Sequence, residues 1–272
     1  MSTRQTARLC VWMYKTWNMI YTQRVLCIIF SISVLSFFSG CAQTVVYDSS
    51  LPPAPLMKQA GEFYIAPSYG GNGVNVNAAV AFFGQFEFTG SILYNESAGD
   101  RIAMKDIDAQ KQYGDAHMAR YYEFAGGIYF PFQEDMVTEL FFGTGKGSAN
   151  DYDYTKEYWD GNNINIMRTE SGSYNKIFAQ LNIGGHKKYS KSGLALRCSY
   201  IDFTDYHKAH SKRGIQSTGN PSGLLWEPSF FVEFGGENIR LLSQIVYPYS
   251  PHDIGFGIRN FIFTVGVAIN TY

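Results

Sequence analysis

From Gly61 to the end of the chain, apolar and polar residues alternate one by one. Val74-Asn75-Val76-Asn77-Ala78-Ala79-Val80 puts aliphatic side chains on one face and amides on the other. Ile177-Phe178-Ala179-Gln180-Leu181-Asn182-Ile183 does the same, and Phe261, Phe263, Val265, Val267 and Ile269 repeat it. A period of two marks half-buried strands, and no stretch after Cys41 carries a helical period. The pattern predicts ten strands (eight being the other possible count), over 61–69, 74–83, 86–96, 117–131, 135–146, 174–187, 193–204, 226–235, 238–248 and 256–271. Tight turns are expected at Phe83-Gly84-Gln85, Pro131-Phe132-Gln133-Glu134, Tyr189-Ser190-Lys191-Ser192 and Gly235-Gly236-Glu237. Long loops are expected at 97–116, 147–173 and 205–225, with shorter ones at 70–73 and 249–255.

Long and short connections therefore alternate. In an up-and-down meander this sends every long loop to one end and every tight turn to the other, as in outer-membrane barrels. The expected fold is an all-β, antiparallel up-and-down barrel over 61–272. Alternation alone does not separate a membrane barrel from a soluble one. The distribution of charge does: one face of the strands is almost uncharged, while the other carries small residues and Glu62, Glu87, Glu123, Glu139, Lys176, Arg197, Glu233 and Arg240. A narrow lumen with paired charges has that composition. Aromatic clusters at Phe82-Phe83-Phe86, Tyr129-Phe130-Phe132 and Tyr247-Tyr249 fit interfacial girdles. Tyr272 is out of phase with Ile269 and Val267, so an in-phase terminal aromatic requires a bulge.

Before the strands lies a segment of another kind. Arg4, Arg8, Lys15 and Arg24 precede the first acidic residue, Asp48, and Val25–Phe38 is a run of fourteen apolar or small residues. That run is too short to span a bilayer as a helix, which takes about 20 residues, and has the length of a signal h-region. Met13 and Met19 offer alternative starts. Phe38-Ser39-Gly40-Cys41 closes the run. It resembles the lipobox of bacterial lipoproteins, which implies a cleaved signal helix over 1–40 and a covalent lipid on Cys41; Phe38 stands where Leu is usual. Cys10 and Cys27 fall in the removed segment, so Cys198 is the one thiol left besides Cys41 and no intramolecular disulfide is expected. Residues 42–60, with Pro52, Pro53 and Pro55 and no periodicity, are read as a flexible tether, giving a lipidated linker over 41–60.

The whole chain has 22 basic and 23 acidic residues, which leaves no basic footprint for nucleic acid. No nucleophile elbow, zinc motif or dinucleotide fingerprint occurs. Gly143-Thr144-Gly145-Lys146-Gly147-Ser148 resembles a phosphate loop only superficially, since Gly follows Lys146 and no helix does. The best chemical cluster is Asp202-Phe203-Thr204-Asp205-Tyr206-His207-Lys208-Ala209-His210. It stands at an outer strand end, where ten-stranded omptin proteases activate water with Asp and His; Asp202, Asp205, His207 and His210 are its candidate residues. The stretch Asn150–Asp160 mixes carboxylates with Tyr and Trp, a composition that stacks on sugars or gathers Ca²⁺, without EF-hand spacing. His117, His186 and His252 stand alone in sequence.

Pro55-Leu56-x4-Gly61-Glu62, behind the lipobox and leading into the first strand, resembles uncharacterised Bacteroidota lipoproteins of the outer-membrane β-barrel type. The resemblance implies location and fold and no activity. The expectation is a lipid-anchored outer-membrane barrel with a structural or surface-binding role and no cofactor beyond the lipid. Its partners would be membrane lipid and the barrel-assembly and lipoprotein-sorting machineries. A barrel hydrolase using Asp202–His210 and a tethered soluble barrel holding a small apolar ligand are the alternatives. With Cys41 in the periplasmic leaflet, an even strand count sends the long loops outward.

Overall fold

The computed structural model describes residues 45–98, 112–159, 162–210, 215–252 and 254–271, and no helix occurs among them. The strands are β1 (Phe63–Gly70), β2 (Gly73–Ala81), β3 (Phe86–Ala98), β4 (Gln112–Phe132), β5 (Met136–Trp159), β6 (Asn162–Lys187), β7 (Ser190–His210), β8 (Ile215–Thr218), β9 (Ser222–Gly235), β10 (Ile239–Val246) and β11 (Ile262–Thr271). All pairings are antiparallel between sequence neighbours, except that β7 also pairs β9 and β1 pairs β11. That last pairing, Phe63↔Thr271 through Gly70↔Thr264, closes a barrel of ten strands. The short β8 is a flap on the end of β7.

Two of the three expected long loops are largely strand. β5 and β6 stay paired in unbroken register from Met136↔Gly185 to Trp159↔Asn162, so 147–173 is a hairpin projecting far beyond the barrel. β7 runs on to His210 against β6 and β8, so strand also occupies much of 205–225. The polar composition of these stretches reads as loop, yet ladder hydrogen bonds continue through them. The opposite correction applies near the C-terminus. No strand runs through residues 247–252 and 254–261, and β11 begins only at Ile262; Pro248 and Pro251 cannot donate to a ladder.

The outward face of the strands is apolar. Phe86, Phe88, Ile92 and Tyr94 on β3, Tyr122, Phe124 and Phe130 on β4, and Leu194, Leu196 and Tyr200 on β7 are all exposed. Between the tight turns and the level of Arg120, Lys146 and Asp202, no outward strand position carries a charge. Phe86 to Tyr94 rises about 27 Å along the strand, or about 20 Å at a ~40° tilt. Aromatic rings flank this belt: Phe82, Phe83, Phe132, Tyr189 and Phe234 at the turn end, and Tyr69, Tyr94, Tyr122, Tyr247 and Tyr249 at the hairpin end. The β1–β11 and β10–β11 registers carry no bulge up to Thr271, and Tyr272 lies outside the described residues.

Candidate functional site

The eight charges assigned by alternation to the second face, Glu62, Glu87, Glu123, Glu139, Lys176, Arg197, Glu233 and Arg240, are all buried inside the barrel. Their partner is unexpected. Residues 45–58, most of the segment read as a flexible tether, run through the lumen, and Val46 to Met57 are buried without a break. At the hairpin end, the Val45 amide donates to Asp151 Oδ2 (2.7 Å), and the Val46 and Tyr47 amides share the Gly257 carbonyl (both 3.1 Å). At the turn end, the Lys58 amide donates to Glu62 Oε2 (3.1 Å) and its ammonium to the Glu134 carbonyl (3.1 Å). The chain therefore enters at the hairpin end, descends the axis and turns at Gly61 into β1.

The prolines explain how an extended strand survives there. Backbone inside a narrow lumen must find a partner for each N–H and C=O. Pro52, Pro53 and Pro55 bring no N–H, so only their carbonyls need satisfying. Gln244 Nε2 donates to Pro52 O (3.0 Å), Gln180 and Asn182 amides donate to Pro53 O (2.5 and 3.0 Å), and Lys191 Nζ donates to Pro55 O (2.6 Å). His186 Nδ1 lies 2.8 Å from Leu56 O, which makes it the protonated nitrogen. Composition alone reads this proline run as linker; it is equally what a luminal strand requires.

Two polar layers hold the plug. In the upper one, the Arg197 guanidinium clasps Glu123 (2.9 and 3.1 Å) and Lys176 Nζ approaches Glu227 Oε2 (3.1 Å). The plug joins directly: Tyr47 OH and Ser49 Oγ donate to Glu227 Oε1, and Ser50 Oγ to Glu123 Oε2 (3.0 Å). Lys176 donates to Tyr47 OH (2.9 Å). In the lower layer, the Met57 amide and Asn182 divide the Glu139 carboxylate (2.8 Å each), and Tyr64 OH donates to Glu233 (3.0 Å). One Glu233 oxygen meets no hydrogen-bond donor among the described residues, and neither does either carboxylate oxygen of Glu87.

Above the belt sits a clamp that sequence alone did not show. His117, isolated in sequence, has Nε2 2.6 Å from Asp48 Oδ2 and Nδ1 3.3 Å from Asp151 Oδ1. Arg259 Nε holds the other Asp48 oxygen (2.6 Å). Burial disfavours the imidazolium, but the hydrogen bonds to Asp151 and Asp48 outweigh it and lift its pKa to about 9. Burial would raise the Asp48 carboxyl, yet His117 and Arg259 bring it below its ordinary value. Around the clamp, Tyr47, Tyr121, Tyr174, Phe203, Tyr206 and Phe256 close the hairpin end.

Of the candidate hydrolase cluster, Asp202, Asp205 and His207 have described side chains. One extra residue, Thr204, shifts the β6–β7 register between Ser173 and Tyr174. Below it odd positions face inward; above it Tyr206 does. Asp202, Asp205 and His207 consequently all point out of the barrel. Asp205 and His207 touch (2.9 Å) but are more than 60% exposed, so nothing desolvates them. Lys208 instead pairs Glu170 (3.4 Å). The His210 side chain lies outside the described residues, as do Phe38, Ser39, Gly40 and the acyl candidate Cys41. In the Tyr- and Trp-rich stretch only Asn150 and Asp151 have described side chains, and Asp151 is spent on the plug. Among the described residues no group of three or more His, Cys, Asp or Glu is placed to hold a metal. Residues 46–57 occupy the lumen, so a small apolar ligand of the kind the tethered-barrel alternative calls for would have no luminal site among the described residues.

No protein-family profile matches the chain, and no curated protein matches it. Among solved structures, a major outer membrane protein from Thermus thermophilus aligns over 78% of this chain and 100% of its own, with TM-score 0.37 and 10% identity. A likeness that distant carries no weight for function.

Proposed function

We propose that this chain is an outer-membrane barrel closed by its own N-terminal strand, with a structural or surface-binding role rather than transport. The observation that carries this reading is the outward belt, uncharged on all ten strands and edged by aromatic residues, around a lumen packed with ion pairs. Exposed to water, such a surface would far exceed the few hundred Å² of contiguous apolar area usual for soluble monomers. Against lipid it is the expected surface.

Short turns facing the periplasm and the long β5–β6 hairpin facing outward is the arrangement usual for such barrels. The plug moves the expected position of the anchor. The sequence-based expectation held Cys41 in the periplasmic leaflet, on the tight-turn side. Val45, however, stands at the hairpin end, and four residues reach at most about 14 Å. A lipid on Cys41 would then lie on the same side as the hairpins, at the cell surface. Fractionation of cells, heat-modifiable migration of the membrane fraction, and palmitate-analogue labelling of wild type against Cys41→Ala test the reading. Recovery in the soluble fraction without detergent would overturn the barrel assignment; equal labelling of the two proteins would overturn the anchor alone.

A further inference from the structure

On the outside of the barrel, across β2 to β7, runs an open groove of about 1050 Å³. Its lower part is apolar and shallow-floored: Val76, Ala78, Gly90, Ile92 and Phe124, with Ile92 and Phe124 both more than 60% exposed. A Cβ added at Gly90 would meet the Phe124 ring at 3.5 Å and the Glu123 carbonyl at 3.7 Å, both ordinary contacts, so the floor has room for a side chain there that Gly90 leaves open. Tyr94 and Tyr122 flank the middle. At the hairpin end the lining turns cationic and polar, with Arg120, Lys146, Ser148, Asn175 and Thr204.

Register brings the two cations together. Arg120 pairs Ser148 and Tyr122 pairs Lys146, so Arg120 and Lys146 are diagonal neighbours on the outward face, about 7–8 Å apart at the backbone. Arg120 rests 5.5 Å from the Tyr94 ring centroid and makes no ion pair among the described residues; neither does Lys146. Nearby Glu96 accepts the Tyr94 hydroxyl. Two adjacent cations with no ion pair among the described residues, set where the uncharged belt ends, stand at headgroup depth. The hollow beneath them points down the belt.

We propose that this groove binds one phosphate-bearing lipid, its phosphate against Arg120 and Lys146 and an acyl chain along Gly90, Ile92 and Phe124. The proposal rests on the membrane reading above. Charge and shape select together: a phosphate accepts from both cations, and the acyl chain replaces the bulk lipid that Gly90 would otherwise leave poorly packed.

The test uses the full chain reconstituted in phosphatidylcholine vesicles doped with phosphatidylglycerol, followed by mild-detergent extraction and native mass spectrometry of retained lipid. Wild type should retain phosphatidylglycerol severalfold above its share of the membrane. Arg120→Gln/Lys146→Gln, both outward and outside the core, should bring that ratio to the bulk value. Gly90→Leu should abolish retention while leaving the cations in place, and excess inorganic phosphate should not displace the lipid. Equal enrichment in wild type and double variant, or no enrichment in wild type, overturns the proposal. Displacement by phosphate alone would mean a bare anion site and overturns the lipid assignment. Heat-modifiable migration of wild type and variants in these vesicles separates these outcomes from failure of the membrane reading, which would show as no insertion at all.

Discussion

Arg197 on β7 and Glu123 on β4 reach each other across two intervening strands, and their two parallel contacts of 2.9 and 3.1 Å brace the barrel from within. Both are fully enclosed, so losing one strands the other in a medium that solvates it poorly. Arg197→Ala should destabilise by about 3–5 kcal/mol, and the Arg197→Ala/Glu123→Ala double variant by much less than the summed singles. Urea midpoints of the heat-modifiable form measure this. Additive effects would mean the contact is not formed.

Glu87 gives the opposite expectation. Its carboxylate is buried with no donor among the described residues, so it opposes folding more than it helps. Glu87→Gln should leave the urea midpoint unchanged or raise it. A loss comparable to that of Arg197→Ala would reveal a donor outside the described residues.

The clamp at Asp48 makes the plug sensitive to pH. His117, lifted to about 9, contributes stability that is full below its unfolded pKa, about 6.5, and is lost as pH rises through about 9. Asp48 has a lowered pKa, so its contribution is present above about 3.9 and is lost as pH falls through the depressed value. Measured as the urea midpoint of wild type minus that of His117→Gln, the difference should be largest near pH 5–6 and shrink towards pH 9–10. A difference constant from pH 6 to 10 would refute the clamp.

The path of residues 45–58 is open to direct test on cells. An epitope inserted just before Val45 should be stained under the same conditions as one near Asn162, and one near Ser190 under the opposite conditions. Co-staining of the Val45 and Ser190 tags would contradict the threaded path, whichever way the barrel faces the cell.

Strand positions and the inward charges were legible because each inward residue is flanked by outward apolar ones, and a period of two survives wherever one side is buried. Glu123, Lys176 and Arg197 could be placed by parity alone. Parity failed at Thr204, since one inserted residue reverses the sense of Asp205 and His207 without any change in composition. Along 147–159 the Gly-, Asp- and Asn-bearing composition reads as loop, whereas pairing with β6 depends on backbone groups that every residue there supplies. The plug was illegible for another reason. Nothing local in Ser49-Ser50-Leu51-Pro52-Pro53 separates a strand solvated by water from one solvated by Gln180, Asn182, Gln244 and Lys191, because those donors are supplied from more than a hundred residues away.

A ring that closes between β1 and β11 around its own leading segment is topologically a threaded loop. The segment from Val45 to Met57 leads directly into β1, so it lies inside the closing sheet only if it is drawn in before β11 zips onto β1, or else slides in end-first afterwards. Everything ahead of Val45 would have to pass through the lumen in the second case, past Arg197 and Lys176. The first route needs no such passage. It makes the β1–β11 seam the last joint to form, and ties completion of the barrel to prior capture of the N-terminal strand.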